Sequence, residues 1–275
     1  MIPLRVLVAA GHDVALVVTR PDKKRGRGGA LMPSPVKAAA QELELPVTSR
    51  VDDVLQLGAE LGVVVAYGRL IKPHVLDVLP MVNLHFSLLP RWRGAAPVER
   101  AILAGDAVTG VCVMALEEGL DTGPVYACEE RAIGDEETLE EVRTALTETG
   151  TRMLVDLLAG GLPEPRAQQG EPTYAAKIEP DEHHLDWSRA AVELHRVIRL
   201  GQAWTTFRER RLRVLRARVA PAADLGPGEV DAASLHVGTG AGALELLQVQ
   251  PEGKGPQPAP AWRNGARLQP GERLV

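Results

Sequence analysis

Met81-Val82-Asn83-Leu84-His85-Phe86-Ser87-Leu88-Leu89-Pro90 is the stretch on which the reading of this chain turns. Its first five residues are apolar apart from Asn83 and His85, and they read as a strand. A strand turns alternate residues to one face, so Asn83 and His85 project together. Ser87-Leu88-Leu89-Pro90 is then the loop at the strand's carboxyl end, where open α/β sheets bind ligands. Asp121 follows in Gly119-Leu120-Asp121-Thr122-Gly123. An amide, an imidazole and a carboxylate together can move an acyl group. Asn83 can donate two hydrogen bonds to a developing oxyanion. His85 can exchange a proton near neutral pH. Asp121 can orient His85 or take a proton from an attacking amine. Neither Ser nor Cys sits in a nucleophile elbow, so direct transfer from a bound donor fits better than an acyl-enzyme. Spacing alone leaves a second reading open, in which Asn83 caps a turn, His85 is a satisfied core histidine and Asp121 is a turn residue.

Outward from this strand the pattern is α/β. Residues 4–10 suit a helix end with Gly11 as its stop, and 14–19 read as a buried strand. Gly26, Gly28 and Gly29 sit among Lys23, Lys24, Arg25 and Arg27 in a basic loop expected to be mobile. Ser34-Pro35-Val36-Lys37 opens a helix, with Ser34 as N-cap and Pro35 in the first turn. Residues 63–68 read as another buried strand, 111–115 and 125–127 as further strands, and 136–158 as a helix. Strands alternating with helices imply an α/β fold with a largely parallel sheet. Composition shifts near Gly161, and four prolines between 161 and 180 suit a linker. A helix over 190–200 and short β-like runs then suggest a small β-rich second domain. The expected division is 1–162 for the first domain, 163–182 for a linker and 183–275 for the second domain.

The composition is that of a globular protein: 275 residues, 45% hydrophobic, 24% charged, with a formal net charge of −5. That balance excludes a chain basic throughout, while local patches decide nucleic-acid binding. The two cysteines, Cys112 and Cys128, are too few for a metal cluster or disulfide framework, and they read as buried thiols in a reducing cytoplasm. Neither a membrane-spanning run nor a signal peptide is apparent. His183-His184 and Gly26-Arg27-Gly28-Gly29 lack the partners or spacing of a metal site or dinucleotide fingerprint. Residues 208–218 carry six arginines against one glutamate. Alternation around Leu212 and Val214 would put arginines such as Arg211 and Arg213 on one strand face.

The wording Asn-Leu-His-Phe-Ser-Leu-Leu-Pro with a distal Leu-Asp-Thr-Gly resembles the folate-dependent formyltransferases. Within that family, Trp92-Arg93-Gly94-Ala95-Ala96-Pro97 looks like the branch whose acceptor is methionyl-tRNA. Arg20-Pro21-Asp22, Leu31-Met32-Pro33-Ser34-Pro35-Val36-Lys37, Val65-Ala66-Tyr67-Gly68, Thr173-Tyr174-Ala175-Ala176-Lys177-Ile178 and Leu185-Asp186-Trp187 agree with it. So do Gly201-Gln202-Ala203-Trp204-Thr205 and Pro270-Gly271-Glu272-Arg273-Leu274. The resemblance implies a Rossmann-like formyltransferase domain followed by a small OB-like β-barrel. It implies 10-formyltetrahydrofolate as co-substrate, no metal, and initiator methionyl-tRNA as partner of a cytoplasmic monomer that does not enter membranes. By position, Asn83, His85 and Asp121 match the family's catalytic residues, and Ser87, Leu88, Leu89 and Pro90 match its folate-binding segment. Lys23, Lys24, Arg25, Arg27, Arg211 and Arg213 are the expected tRNA contacts, Arg27 aligning with the family's important loop arginine. Phe86 stands where many relatives have Gly, on the face away from Asn83 and His85. The family opens with a strand and a Gly-Thr/Ser-Pro-Phe loop that have no counterpart here, so the first domain is expected to be N-terminally truncated. Two rival readings are a formyltransferase for a small amine and a catalytically impaired tRNA- or folate-binding remnant.

Overall fold

The computed structural model describes residues 2–25, 29–221 and 224–275, which form two compact units. The first comprises Met1–Pro97, Val108–Ala132 and Arg143–Ala175, and the second Val98–Ala107, Ile133–Val142 and Ala176–Val275. The chain begins with α1 (Ile2–Ala9), β1 (Val17–Val18), β2 (Lys23–Arg25), β3 (Ala30–Met32), α2 (Pro35–Glu42) and β4 (Val47–Thr48). It continues with β5 (Gly62–Val65), α3 (Pro73–Leu76), β6 (Met81–His85), β7 (Arg93–Gly94) and α4 (Pro97–Ala104). β8 (Val108–Ala115), β9 (Val125–Ala132), α5 (Leu139–Gly160) and β10 (Tyr174–Ala175) follow.

Local chemistry explains the start of α2. The Ser34 hydroxyl accepts from the Lys37 N–H at 3.1 Å and lies 3.0 Å from the Thr19 hydroxyl, while Lys37 donates to both Asp22 oxygens at 2.9 Å. These contacts close the base of the basic segment. β2 and β3 then pair antiparallel, with Lys23 opposite Met32. The segment expected to be a mobile loop therefore enters and leaves as a hairpin, and Arg27 lies outside the described residues.

β6 is central in a four-stranded sheet of order β5-β6-β8-β9. It pairs parallel with β5 and antiparallel with β8, which pairs antiparallel with β9. β1 and β4 form a separate parallel pair. β5, expected to be buried, is an edge strand in which Val63 is 36% exposed. All five residues of β6 are buried, and its two faces differ. Leu84 and Val111 face α5 at Gly150, where an added Cβ would lie 2.8 Å from a Val111 methyl and 3.5 Å from one of Leu84. Leu146 and Leu154 of the same helix are completely buried. Asn83 and His85 occupy the other face, opposite Met114 and Cys112 of β8.

Cys112 and Cys128 are not separate thiols. They stand opposite each other in β8 and β9, with Cα atoms 4.1 Å apart, and form a disulfide. The antiparallel register creates this juxtaposition, and a sequence separation of 16 gives no hint of it. The cysteines therefore no longer argue for a reducing compartment. Residues 163–175, proline-rich and linker-like in sequence, are tied to the first unit. Arg166 and Val125 exchange two backbone hydrogen bonds of 2.8 Å, and β10 pairs parallel with β7.

The second unit contains α6 (Ala191–Arg199), β11 (Trp204–Phe207), β12 (Arg210–Ala220), β13 (His236–Gly238), β14 (Ala243–Pro251), β15 (Gln257–Pro258) and α7 (Ala259–Ala266). Its five strands are antiparallel in the open order β11-β12-β14-β13, with β15 also on β14, giving a half-barrel. Register shifts on either side of Arg216 interrupt the long β12–β14 ladder, the kind of irregularity that bends a strand. Leu194, Val197 and Ile198 of α6 pack with Leu212, Val214, Leu244, Leu246 and Trp262 in one apolar core. The Trp187 indole N–H donates to the Thr205 hydroxyl inside it at 3.0 Å.

Gly110 of β8 leaves room for Leu88 on the Asn83/His85 side of the sheet. An added Cβ would lie 2.4 Å from a Leu88 methyl and 2.5 Å from the Glu129 carbonyl oxygen. Gly110→Ala is expected to cost about 1–3 kcal/mol through overpacking. Urea unfolding measures this, and an unchanged midpoint would contradict the packing.

Candidate active site

Strand alternation brings Asn83 and His85 to one face of β6, where they are only 8% and 5% exposed. The loop at 119–123 places Asp121 beside them. Asp121 Oδ2 lies 3.5 Å from His85 Nδ1 and accepts the Gly94 N–H at 2.7 Å. His85 Nε2 lies 2.9 Å from the Trp92 carbonyl oxygen. The imidazole is thus bracketed by two acceptors, one on each ring nitrogen. The Asn83 carboxamide makes no hydrogen bond among the described residues, although its side chain is nearly enclosed. The structure therefore places all three predicted residues in one neighbourhood, with Asn83 holding donors in reserve.

Both loops that reach His85 adopt strained backbone. Trp92 has φ +60° and Asp121 φ +51°, in the left-handed region that side chains other than glycine disfavour. Neighbouring bonds hold them there. Trp92 N–H donates to Thr173 Oγ1 and Arg93 N–H to the Thr173 carbonyl, both at 2.8 Å. Ala95 N–H donates to the Ala175 carbonyl at 2.9 Å. These bonds give a physical reason for the Thr-Tyr-Ala-Ala wording at 173–176, which clamps the Trp-Arg-Gly-Ala segment. Sequence reasoning missed Gln168, which joins Arg93 to the backbone of the Asp121 loop. One of two adjacent glutamines, Gln168-Gln169, in a proline-rich stretch carries no pattern by which to find it.

Electrostatics sharpen the picture of His85. Burial holds its imidazole below the ordinary range, against the opposing pulls of the Asp121 carboxylate and the Trp92 carbonyl. The neutral ring is favoured at rest, and the two acceptors are ready to stabilise it once it gains a proton. Such a site can supply a hydrogen-bond donor from Asn83 and accept a proton at His85.

Ser87, Leu88, Leu89 and Pro90 form the turn directly after β6, with the Ser87 hydroxyl donating to the Arg91 carbonyl. Lys23, Lys24 and Arg25 lie on β2. In the second unit, Leu212 and Val214 point inward while Arg211 and Arg213 face out, as alternation predicts. The Arg211 guanidinium lies 4.2 Å over the Trp204 ring, whose centroid is 4.5 Å from that of His184. Arg213 is tied to Gln250 at 3.2 Å and to the Gly201 carbonyl at 3.0 Å. Arg208, Arg210 and Arg218 pair with Glu272, Glu252 and Glu245, so the arginine run is less cationic than its sequence suggests.

Residues 7–158 match the family model described as "Formyl transferase", and residues 177–267 match "Formyl transferase, C-terminal domain". The chain is 46% identical over 281 residues to a methionyl-tRNA formyltransferase of Clavibacter sepedonicus, covering 95% of this chain and 92% of that one. It is 44% identical over 287 residues to a protein of the same name from Roseobacter denitrificans, covering 98% and 93%. Its fold is similar to that of an N-formyltransferase from Helicobacter canadensis solved with folinic acid and dTDP-3-aminofucose. That match has a TM-score of 0.69 and 15% identity, and covers 89% of this chain and 94% of that one.

The negative charge of Asp121 favours imidazolium, so Asp121→Asn is expected to move the His85 titration to lower pH. NMR of the ring protons reads this directly. An unmoved or raised midpoint would show that the carboxylate does not act on the ring.

Proposed function

The chain belongs to the formyl transferase family, and on that premise we propose that it moves a formyl group from 10-formyltetrahydrofolate to the α-amino group of initiator methionyl-tRNA. The observation that carries the chemistry is the nearly buried, unengaged carboxamide of Asn83 on the same strand face as the bracketed imidazole of His85. The similarity to proteins named for this reaction, over almost the whole chain, supports the acceptor.

The folate donor supplies an electrophilic formyl carbon. Asn83 donates a hydrogen bond to the formyl oxygen as that atom gains negative charge during attack by the amine. His85 takes the amine's proton at Nδ1, where Asp121 stabilises the imidazolium while the Trp92 carbonyl holds the proton on Nε2. As the bond between the formyl carbon and the folate N10 breaks, the imidazolium gives that proton to N10, releasing tetrahydrofolate and restoring the neutral ring. A ring already protonated at rest could not do this, so the depressed proton affinity caused by burial serves the step. Ser87, Leu88, Leu89 and Pro90 hold the folate, with Leu88 packed against Gly110.

Residues 1–162 carry the chemistry, 163–175 brace it from within the same unit, and 183–275 help to hold tRNA. Lys23, Lys24, Arg25 and Arg27 contact the RNA, as do Arg211 and Arg213 from the outward face of β12. The enzyme acts as a monomer in the cytoplasm, and among the described residues no helix is long and apolar enough to cross a membrane.

A formyl-transfer assay with charged initiator tRNA tests the activity, and absence of transfer by the intact chain would refute it. Asn83→Ala is expected to lower kcat by about 100- to 1,000-fold with little change in KM. A loss confined to KM would instead make Asn83 a binding residue. Arg211→Ala is expected to raise KM for tRNA but not for folate, and to reduce the salt slope of tRNA binding by about 1. Equal effects on both substrates would remove Arg211 from the RNA surface.

A further inference from the structure

We propose that Gln168 is a positioning residue that sets the proton affinity of His85 by holding the loops on both sides of the ring. The kinetic part of this inference rests on the formyl-transfer reading above. The Gln168 carboxamide uses all of its hydrogen-bonding capacity. Its Nε2 donates to the Asp121 carbonyl and to the Gly123 carbonyl, each at 2.8 Å. Its Oε1 accepts from Arg93 Nε at 3.0 Å and from Arg93 Nη2 at 2.6 Å. The orientation is unambiguous, because a guanidinium has only donors and a carbonyl only accepts. Two backbone bonds between Arg166 and Val125 anchor the chain just before Gln168.

The two elements joined by Gln168 are the ones that bracket the imidazole. Arg93 is flanked by Trp92, whose carbonyl faces Nε2, and by Gly94, whose N–H donates to Asp121 Oδ2. Asp121 faces Nδ1 and holds φ +51°, a backbone state that needs support from its surroundings. Gln168 gives that support at the Asp121 carbonyl itself. Without it, the Asp121 loop loses two backbone anchors and its tie to the Arg93 side chain, which loosens the hold of the Asp121 carboxylate at Nδ1.

Two variants separate this from general stability. Gln168→Met keeps the side chain's approximate length and neutrality but makes none of the four bonds. Gln168→Glu keeps an acceptor for Arg93 and loses the donors to the two carbonyls. In the full chain, Gln168→Met is expected to lower the His85 titration midpoint in the same direction as Asp121→Asn, by at least half as much. Both Gln168 variants are expected to lower kcat for formyl transfer about 10- to 100-fold, with KM for folate and tRNA changed by less than about threefold. A wild-type His85 midpoint in Gln168→Met, where Asp121→Asn moves it, overturns the proposal. So does wild-type kcat in Gln168→Glu, because the Arg93 contact would then suffice. If Gln168→Met does not fold, kcat of Gln168→Glu decides. If the wild-type chain transfers no formyl group, the functional reading fails, and the His85 titration still decides whether Gln168 positions the ring.

Discussion

The imidazole of His85 sits in a place too dry to charge easily, between a backbone carbonyl and a carboxylate that both favour its charged form. The first unit is organised around that balance. β6 is buried along its whole length because one face carries Leu84 toward α5 and the other carries Asn83 and His85. Gly150 makes the first contact close, and Gly110 leaves room for Leu88 near the second. A central strand with different tasks on its two faces allows little freedom in register, since a shift of one residue would exchange them.

Distant parts of the chain hold the bracket around His85. Trp92 and Asp121 reach the ring from separate loops, and both occupy left-handed backbone conformations. The segment from 166 to 175 ties them down through Gln168, Thr173 and the short parallel pairing of β10 with β7. A stretch that resembles a linker in composition is thus structural for the site. Its Gly170 and Pro172 suit an extended path with few regular backbone partners of its own.

The second unit shows how pairing edits a charge count. Six arginines between 208 and 218 suggest a strongly basic strand, yet three of them meet carboxylates across the fold. The cationic character that remains is concentrated differently from the sequence run. Arg211 lies over Trp204 on the outward face, a planar arrangement suited to RNA as well as to phosphate, whereas Arg213 is already bonded within its own sheet.

Short-range physics was legible in the residues themselves. Alternation identified β6 and the common face of Asn83 and His85, the hydroxyl of Ser34 followed by Pro35 marked the start of α2, and the same alternation turned Arg211 and Arg213 outward. The motif wording identified the family before any contact was known. Tertiary structure alone decided the rest, because it depends on residues far apart in sequence meeting at ångström distances. Antiparallel register joined Cys112 to Cys128, and edge position exposed β5. Four bonds made Gln168 part of the site, and burial set the charge preference of His85, a property of everything packed around the ring that its own identity does not specify.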